Sequence, residues 1–246
     1  MISIYAPSHL ASTSPAQARL AAPPLREVIR LDPEFERARA HLAHCHKICF
    51  VWGDFDFAKR KEGLEHARVA LASRTDDATA LATSGFVLWT LAQEREAAWN
   101  GIERALSLNP SCASALLWGA VFKSCDGDGV GAIELAQRAL RISPFDPFAF
   151  NAEYAMGLAA LIAGRFDEAA ARFAKAMHSN PSFVALQGCY AIALALAGRM
   201  EEARQAAEKA VELGPKSRVG LLLMMVGDRA LADVLRKGAN LAGLPM

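Results

Sequence analysis

GRFDEAAARFAKAM (164–177) and GRMEEARQAAEKAV (198–211) decide how this chain folds. They begin 34 residues apart and share one pattern: glycine, arginine, a large apolar residue, two acids, then alanine at fixed places. The alanines are Ala169 and Ala176 in the first stretch and Ala203 and Ala210 in the second, so within each stretch they are seven apart, two turns along one helical face. Working outward, short segments closing on proline recur: RLDP (30–33), SLNP (107–110), RISP (141–144), HSNP (178–181) and VELGP (211–215). Pro110 to Pro144 and Pro181 to Pro215 are each 34 residues, and Pro147 lies 34 before Pro181. Other positions keep this register. Ala132 joins Ala169 and Ala203, while Ala105 and Ala139 join Ala176 and Ala210. Gly85, Ala120, Gly157 and Ala191 occupy a third small position, and Gly127, Gly164 and Gly198 a fourth. Small side chains let two helices cross closely. Glycine supplies a left-handed turn after the first helix, and proline stops the second.

A 34-residue helix–turn–helix period is that of the tetratricopeptide repeat, and the chain resembles that family over most of its length. The resemblance implies an all-α fold, an α-solenoid superhelix of stacked hairpins with a C-terminal capping helix. Five units are expected at 36–77, 78–112, 113–146, 150–183 and 184–217. Residues 1–35 form an N-terminal segment holding part of an earlier second helix, at about 16–33, while Met1–Pro15 does not fit the repeat. Residues 218–246 form the cap, with one amphipathic helix over Ser217–Val226 and another over Asp228–Leu241. The first unit is long, and its excess reads as an enlarged turn around Phe50–Lys61. The second carries an extra residue near Gln93. Glu153 and Gln187 stand where the family has a bulky apolar residue.

Composition agrees with close-packed helices. Alanine fills 50 of 246 positions, hydrophobic residues make up 53% and aromatics only 8%. Lys and Arg (27) nearly cancel Asp and Glu (26), which argues against binding nucleic acid by bulk charge. No apolar run approaches the roughly 18–20 residues of a membrane span, and the start of the chain does not read as a secretory signal. Cys45, Cys49, Cys112, Cys125 and Cys189 are odd in number and scattered, which suggests reduced thiols and a cytoplasmic location.

A narrower resemblance is to the C-terminal repeat region of bacterial class III adenylate cyclase-like proteins and winged-helix regulators. It rests on RISPFDP (141–147), the long early unit and the closing Leu235-Arg236-Lys237 with Leu241–Pro245. It implies ancestry as a regulatory module, not cyclase activity, and opens the alternative of a truncated remnant.

Few residues suggest chemistry. His41, His44, Cys45, His46 and Cys49 lie at helical spacing and invite comparison with a zinc site, but ligands on one rigid helix rarely converge tetrahedrally. CDGDGVGAIE (125–134) has the acids of a calcium loop, yet Val130 and Gln137 stand where ligands are needed. The same stretch contains GxGxxA but follows a helix rather than a strand, so it reads as an inter-helix turn. The sequence therefore points to a chain that is not an enzyme and needs no metal or cofactor.

The family's first helices point positions 2, 5, 9 and 12 into a concave groove. The resemblance places Ala82, Phe86, Trp89, Leu117, Val121, Asn151, Tyr154, Leu158 and Ile192 there, an apolar surface that would take a partner's helix or peptide. Self-burial of these side chains in a tight superhelix, or residues 1–30 folding back into the groove, is the open alternative, and self-association is a separate option for the chain. The Lys, Asn and Arg with which some members clamp acidic chaperone tails are missing from these positions, so such tails are not expected to bind.

Overall fold

A computed structural model describes residues 14–53, 55–181, 183–214 and 218–245. Among them are thirteen α-helices and no strands. α1 is Pro15–Leu31. Five hairpins follow: α2 (Glu36–Trp52) with α3 (Phe57–Ala72), α4 (Ala78–Ala92) with α5 (Arg95–Leu108), α6 (Ala113–Cys125) with α7 (Gly129–Ile142), α8 (Phe150–Ile162) with α9 (Phe166–Ser179), and α10 (Val184–Leu196) with α11 (Met200–Leu213). α12 (Arg218–Met225) and α13 (Arg229–Ala242) close the chain. Two compact units divide at residues 118 and 119.

The small residues that set the register sit where helices meet. Ala105, Ala132, Ala139, Ala169, Ala176, Ala203 and Ala210 are all buried. Between the helices of the later hairpins, Gly127, Gly164 and Gly198 take φ of +86°, +70° and +80°. Gln93 holds the same left-handed position after α4, with φ +61°.

In the first unit, α1 lies on α2 through Ala18, Ala21, Ala22 and Leu25, which meet Leu42, Cys45, Ile48 and Cys49. Ser14 caps α1 by accepting from the Gln17 N–H, and Pro15 opens it. The sequence suggests an enlarged turn at Phe50–Lys61. Instead, most of the extra residues extend the helices, with 17 residues in α2 and 16 in α3 against 13 and 14 in α8 and α9. Asp56 caps α3 from the Ala58 N–H, so the helix begins inside the stretch read as a turn.

In the second unit, α8 pairs with α9 and α10 with α11, and neighbouring hairpins pack through α7–α8 and α9–α10. Glu153 on α8 is buried and held by Arg172 of α9, Nη1 to Oε2 3.1 Å. That ion pair accounts for a carboxylate at a position where the repeat has a bulky apolar residue. α13 rests chiefly on α10 and extends to α8. Pro215 and Ser217, used in the sequence register, and residues 1–13 lie outside the described residues.

Candidate functional site

The nine residues expected to line a groove are all buried: Ala82, Phe86, Trp89, Leu117, Val121, Asn151, Tyr154, Leu158 and Ile192. In this structure none of them presents an open surface. In the first unit Phe86 is the centre of an aromatic stack. Its ring lies 4.2 Å from that of Trp118 with 12° between the planes, and Trp89 meets it edge-on at 5.8 Å. His44 of α2 completes the stack, 6.4 Å from Phe86 and 5.7 Å from Trp118. Lys47, one turn along α2, places Nζ 4.7 Å from the Phe86 ring centre. Aromatic and cation–π contacts satisfy faces that helical position numbers alone assign to a groove. Lys47 is only 7% exposed, and burial lowers its pKa to about 7.

In the second unit, Tyr154 is buried beside Phe173 and Phe183, with ring centres 6.0 and 6.5 Å away. Its hydroxyl shares a hydrogen bond with the Cys189 thiol of α10. Burial raises the Tyr154 pKa and pushes that of Cys189 up to about 12. Asn151 donates Nδ2 to the Phe148 carbonyl at 2.9 Å, so its amide is spent closing a helix start. Ile192 on α10 faces α13, where a Cβ at Gly238 would lie 2.6 Å from Ile192 Cγ2.

The His and Cys residues of α2 do not converge. Cys45 and Cys49 face α1, and burial raises the Cys45 pKa to about 12, far from a thiolate ligand. His44 faces Phe86 and Trp118, whereas His46 faces α3, with Nε2 3.1 Å from Glu62 Oε2 and its ring stacked on His66 at 6.1 Å. Desolvation lowers the pKa of both His41 and His46 to about 4. Among the described residues no group of three or more His, Cys, Asp or Glu could hold a metal. In the 125–134 stretch, Asp128 caps α7, accepting from the Gly131 N–H at 2.8 Å and pairing with Lys123. It serves an inter-helix turn.

Two features escaped sequence reasoning. One is a cleft on the first unit lined by Arg74, Asp76, Asn100, Glu103 and Arg104, whose charges are mixed and give no single ligand chemistry. The other is the α13 seat. Gly227 and Asp228 donate their backbone N–H groups to the Cys125 carbonyl, at 2.9 and 3.1 Å. A return contact of this kind, through backbone atoms, has no sequence signature. Among the described residues no helix is long and apolar enough to cross a membrane.

A family model described as Tetratricopeptide repeat matches residues 154–218. No curated protein matches the sequence. Among solved structures, PilW, a widely conserved type IV pilus biogenesis factor, is similar at a TM-score of 0.59 and 17% identity, over 84% of this chain and 93% of that one. A tetratricopeptide repeat protein from Parabacteroides merdae is similar at 0.53 and 17%, over 93% of both chains. A thermophilic protein of the same kind from Thermus thermophilus gives 0.53 and 22%, over 73% of this chain and 91% of that one. The family model thus finds the tetratricopeptide repeat over residues 154–218, and the solved structures share the helical-hairpin fold of the chain.

Proposed function

We propose that the chain is a non-enzymatic scaffold that receives a helix or peptide of a partner protein on the apolar faces of its first helices. One observation carries this: the Ile192 face of α10 already holds an amphipathic helix, α13, with Gly238 backed against Ile192. Stacked helical repeats are built to present extended binding surfaces, which supports the same reading. Ile192 on α10, with Leu158 on α8 of the neighbouring hairpin, is the anchor such a surface would offer, while Phe86, Trp89 and Tyr154 are packed within the hairpins. A cytoplasmic site of action belongs to the proposal, supported by five cysteines that are all buried as thiols.

The test starts from capture of host proteins on the purified full chain. A captured protein is then made pure and titrated against the chain. Binding that holds between about 0.1 and 1 M salt is expected of an apolar face, and binding lost over that range rejects it. Metal analysis of the purified chain tests the alternative of an enzyme, or an enzyme's regulatory subunit, that uses the His and Cys residues of α2 with a metal, since stoichiometric zinc would contradict a scaffold without metal. A second reading, a regulatory module related to cyclase-like signalling proteins, is supported by the RISPFDP link and the closing segment. An in-frame catalytic or winged-helix coding segment upstream would favour it.

A further inference from the structure

We propose that α13 is a displaceable plug, an in-chain ligand that occupies the helix-binding face of α8 and α10 until a partner helix of like chemistry replaces it. This rests on the scaffold function proposed above and specifies its regulation and its partner.

α13 is built like a bound peptide. One side is apolar and buried, through Leu231, Leu235, Ala239 and Ala242. The opposite side is charged and exposed, through Asp233, Arg236 and Lys237, and Arg236 pairs with Asp233 inside the helix itself at 3.2 Å. Gly238 is the point of closest approach. A Cβ there would lie 2.6 Å from Ile192 Cγ2, 3.0 Å from Leu196 Cδ1 and 3.1 Å from the Ile192 carbonyl oxygen. A side chain there would force Ile192 or Leu196 to shift, so the face favours glycine or another small residue at that point of any helix it takes.

The start of α13 is fixed separately. Asp228 caps it by accepting from the Leu231 N–H at 2.7 Å, and the Asp228 side chain lies where a Cβ on Gly127 would be, 2.9 Å from Cγ. The N–H groups of Gly227 and Asp228 donate to the Cys125 carbonyl at the end of α6. The helix thus reaches from the end of α6 past α8 to α10, along first helices of successive hairpins. A competing partner is therefore an amphipathic helix with an Asp or Ser cap, apolar residues three, seven and eleven positions after the cap, and a small residue ten positions after it.

The experiment uses the full chain and a labelled synthetic peptide of residues 227–245 as probe, so it needs no natural partner and stands or falls apart from the scaffold reading. Wild-type chain, with its own α13 seated, is expected to bind the peptide at least about tenfold more weakly than the Gly238→Leu chain, whose α13 is expelled. The peptide carrying the same Gly238→Leu change is expected not to bind either chain. Asp228→Ala, a milder release, is expected to fall between. Equal peptide binding by the wild-type and Gly238→Leu chains overturns the plug, as does full binding by the altered peptide. Loss of the cooperative helical melt in Gly238→Leu overturns it too, because α13 would then be part of the core.

Discussion

Gly157 of α8 lies so close to Phe173 of α9 that a Cβ there would stand 2.5 Å from the ring at Cε1 and 2.8 Å at Cδ1 and Cζ. Phe173 is fully buried and has no room to withdraw. Gly157→Ala is therefore expected to lower the unfolding free energy by about 1–3 kcal/mol, measured by urea titration. Gly188 on α10 is the control: an added Cβ there meets nothing within 4 Å. Gly188→Ala is expected to gain up to about 1 kcal/mol, because alanine restricts the unfolded chain and favours helix.

Gln93 takes φ +61° at the turn where Gly127, Gly164 and Gly198 stand in the later hairpins. A side chain in that conformation crowds the following carbonyl and costs roughly 1–2 kcal/mol. Gln93→Gly is expected to raise the midpoint of urea unfolding by an amount equivalent to about 1 kcal/mol. An unchanged or lower midpoint would mean that contacts of the glutamine side chain outweigh the backbone strain.

The hairpins were legible because their signal is local. A helix crossing demands a small residue at one position and a left-handed turn demands another, so Ala139, Ala176 and Ala210 or Gly164 and Gly198 announce themselves. The length of α2 was not legible. Phe50–Lys61 looks like one enlarged turn, yet α2 continues to Trp52 and α3 starts at Phe57, with Gly53 and Asp56 as the caps of the short turn between them. The state of the groove positions was not legible either. A helical position says which way Phe86 points but not that Trp118 stacks on it, and nothing in the sequence says that two backbone N–H groups before α13 reach Cys125.

Lys47 gives the fold a pH dependence of known sign. Its ammonium is buried against Phe86, and its pKa falls from 10.5 to about 7. Between pH 7 and 9 the unfolded chain holds a proton there that the folded chain has largely lost, so stability rises with pH, by at most about 1.4 kcal/mol per pH unit. Above pH 9 the slope weakens and turns, because Cys45 and Cys189, raised to about 12, keep protons in the folded chain that the unfolded one releases. Lys47→Met is expected to remove the rise between pH 7 and 9 and to be more stable than wild type at pH 7. A Met variant that keeps the full slope would place the titrating group elsewhere.

Glu153 and Arg172 test whether a buried carboxylate was merely accommodated. Arg172→Met removes the guanidinium 3.1 Å from Glu153 and leaves a charge that is 4% exposed, with Lys175 as its remaining partner. A loss of about 2–4 kcal/mol is expected, while Glu153→Met, which removes the charge itself, is expected to be neutral or stabilising. The double variant should resemble Glu153→Met, and a thermal melt of all three shows whether the arginine acts only through the carboxylate.

Trp89 and Tyr154 separate burial from partner contact. Trp89 is fully buried against Phe86, so Trp89→Ala is expected to cost about 3–5 kcal/mol in the purified chain with no partner present. Tyr154→Phe keeps the ring between Phe173 and Phe183 and removes only the hydroxyl shared with Cys189, for a cost of about 1 kcal/mol. Had either side chain been held for a partner on an open face, its substitution would leave the melting temperature in place and act on binding alone. Calorimetry of the isolated chain therefore decides. A Trp89→Ala melt indistinguishable from wild type would show that the stack opens in solution, and the pair Phe86 and Trp89 would then stand as a surface rather than as core.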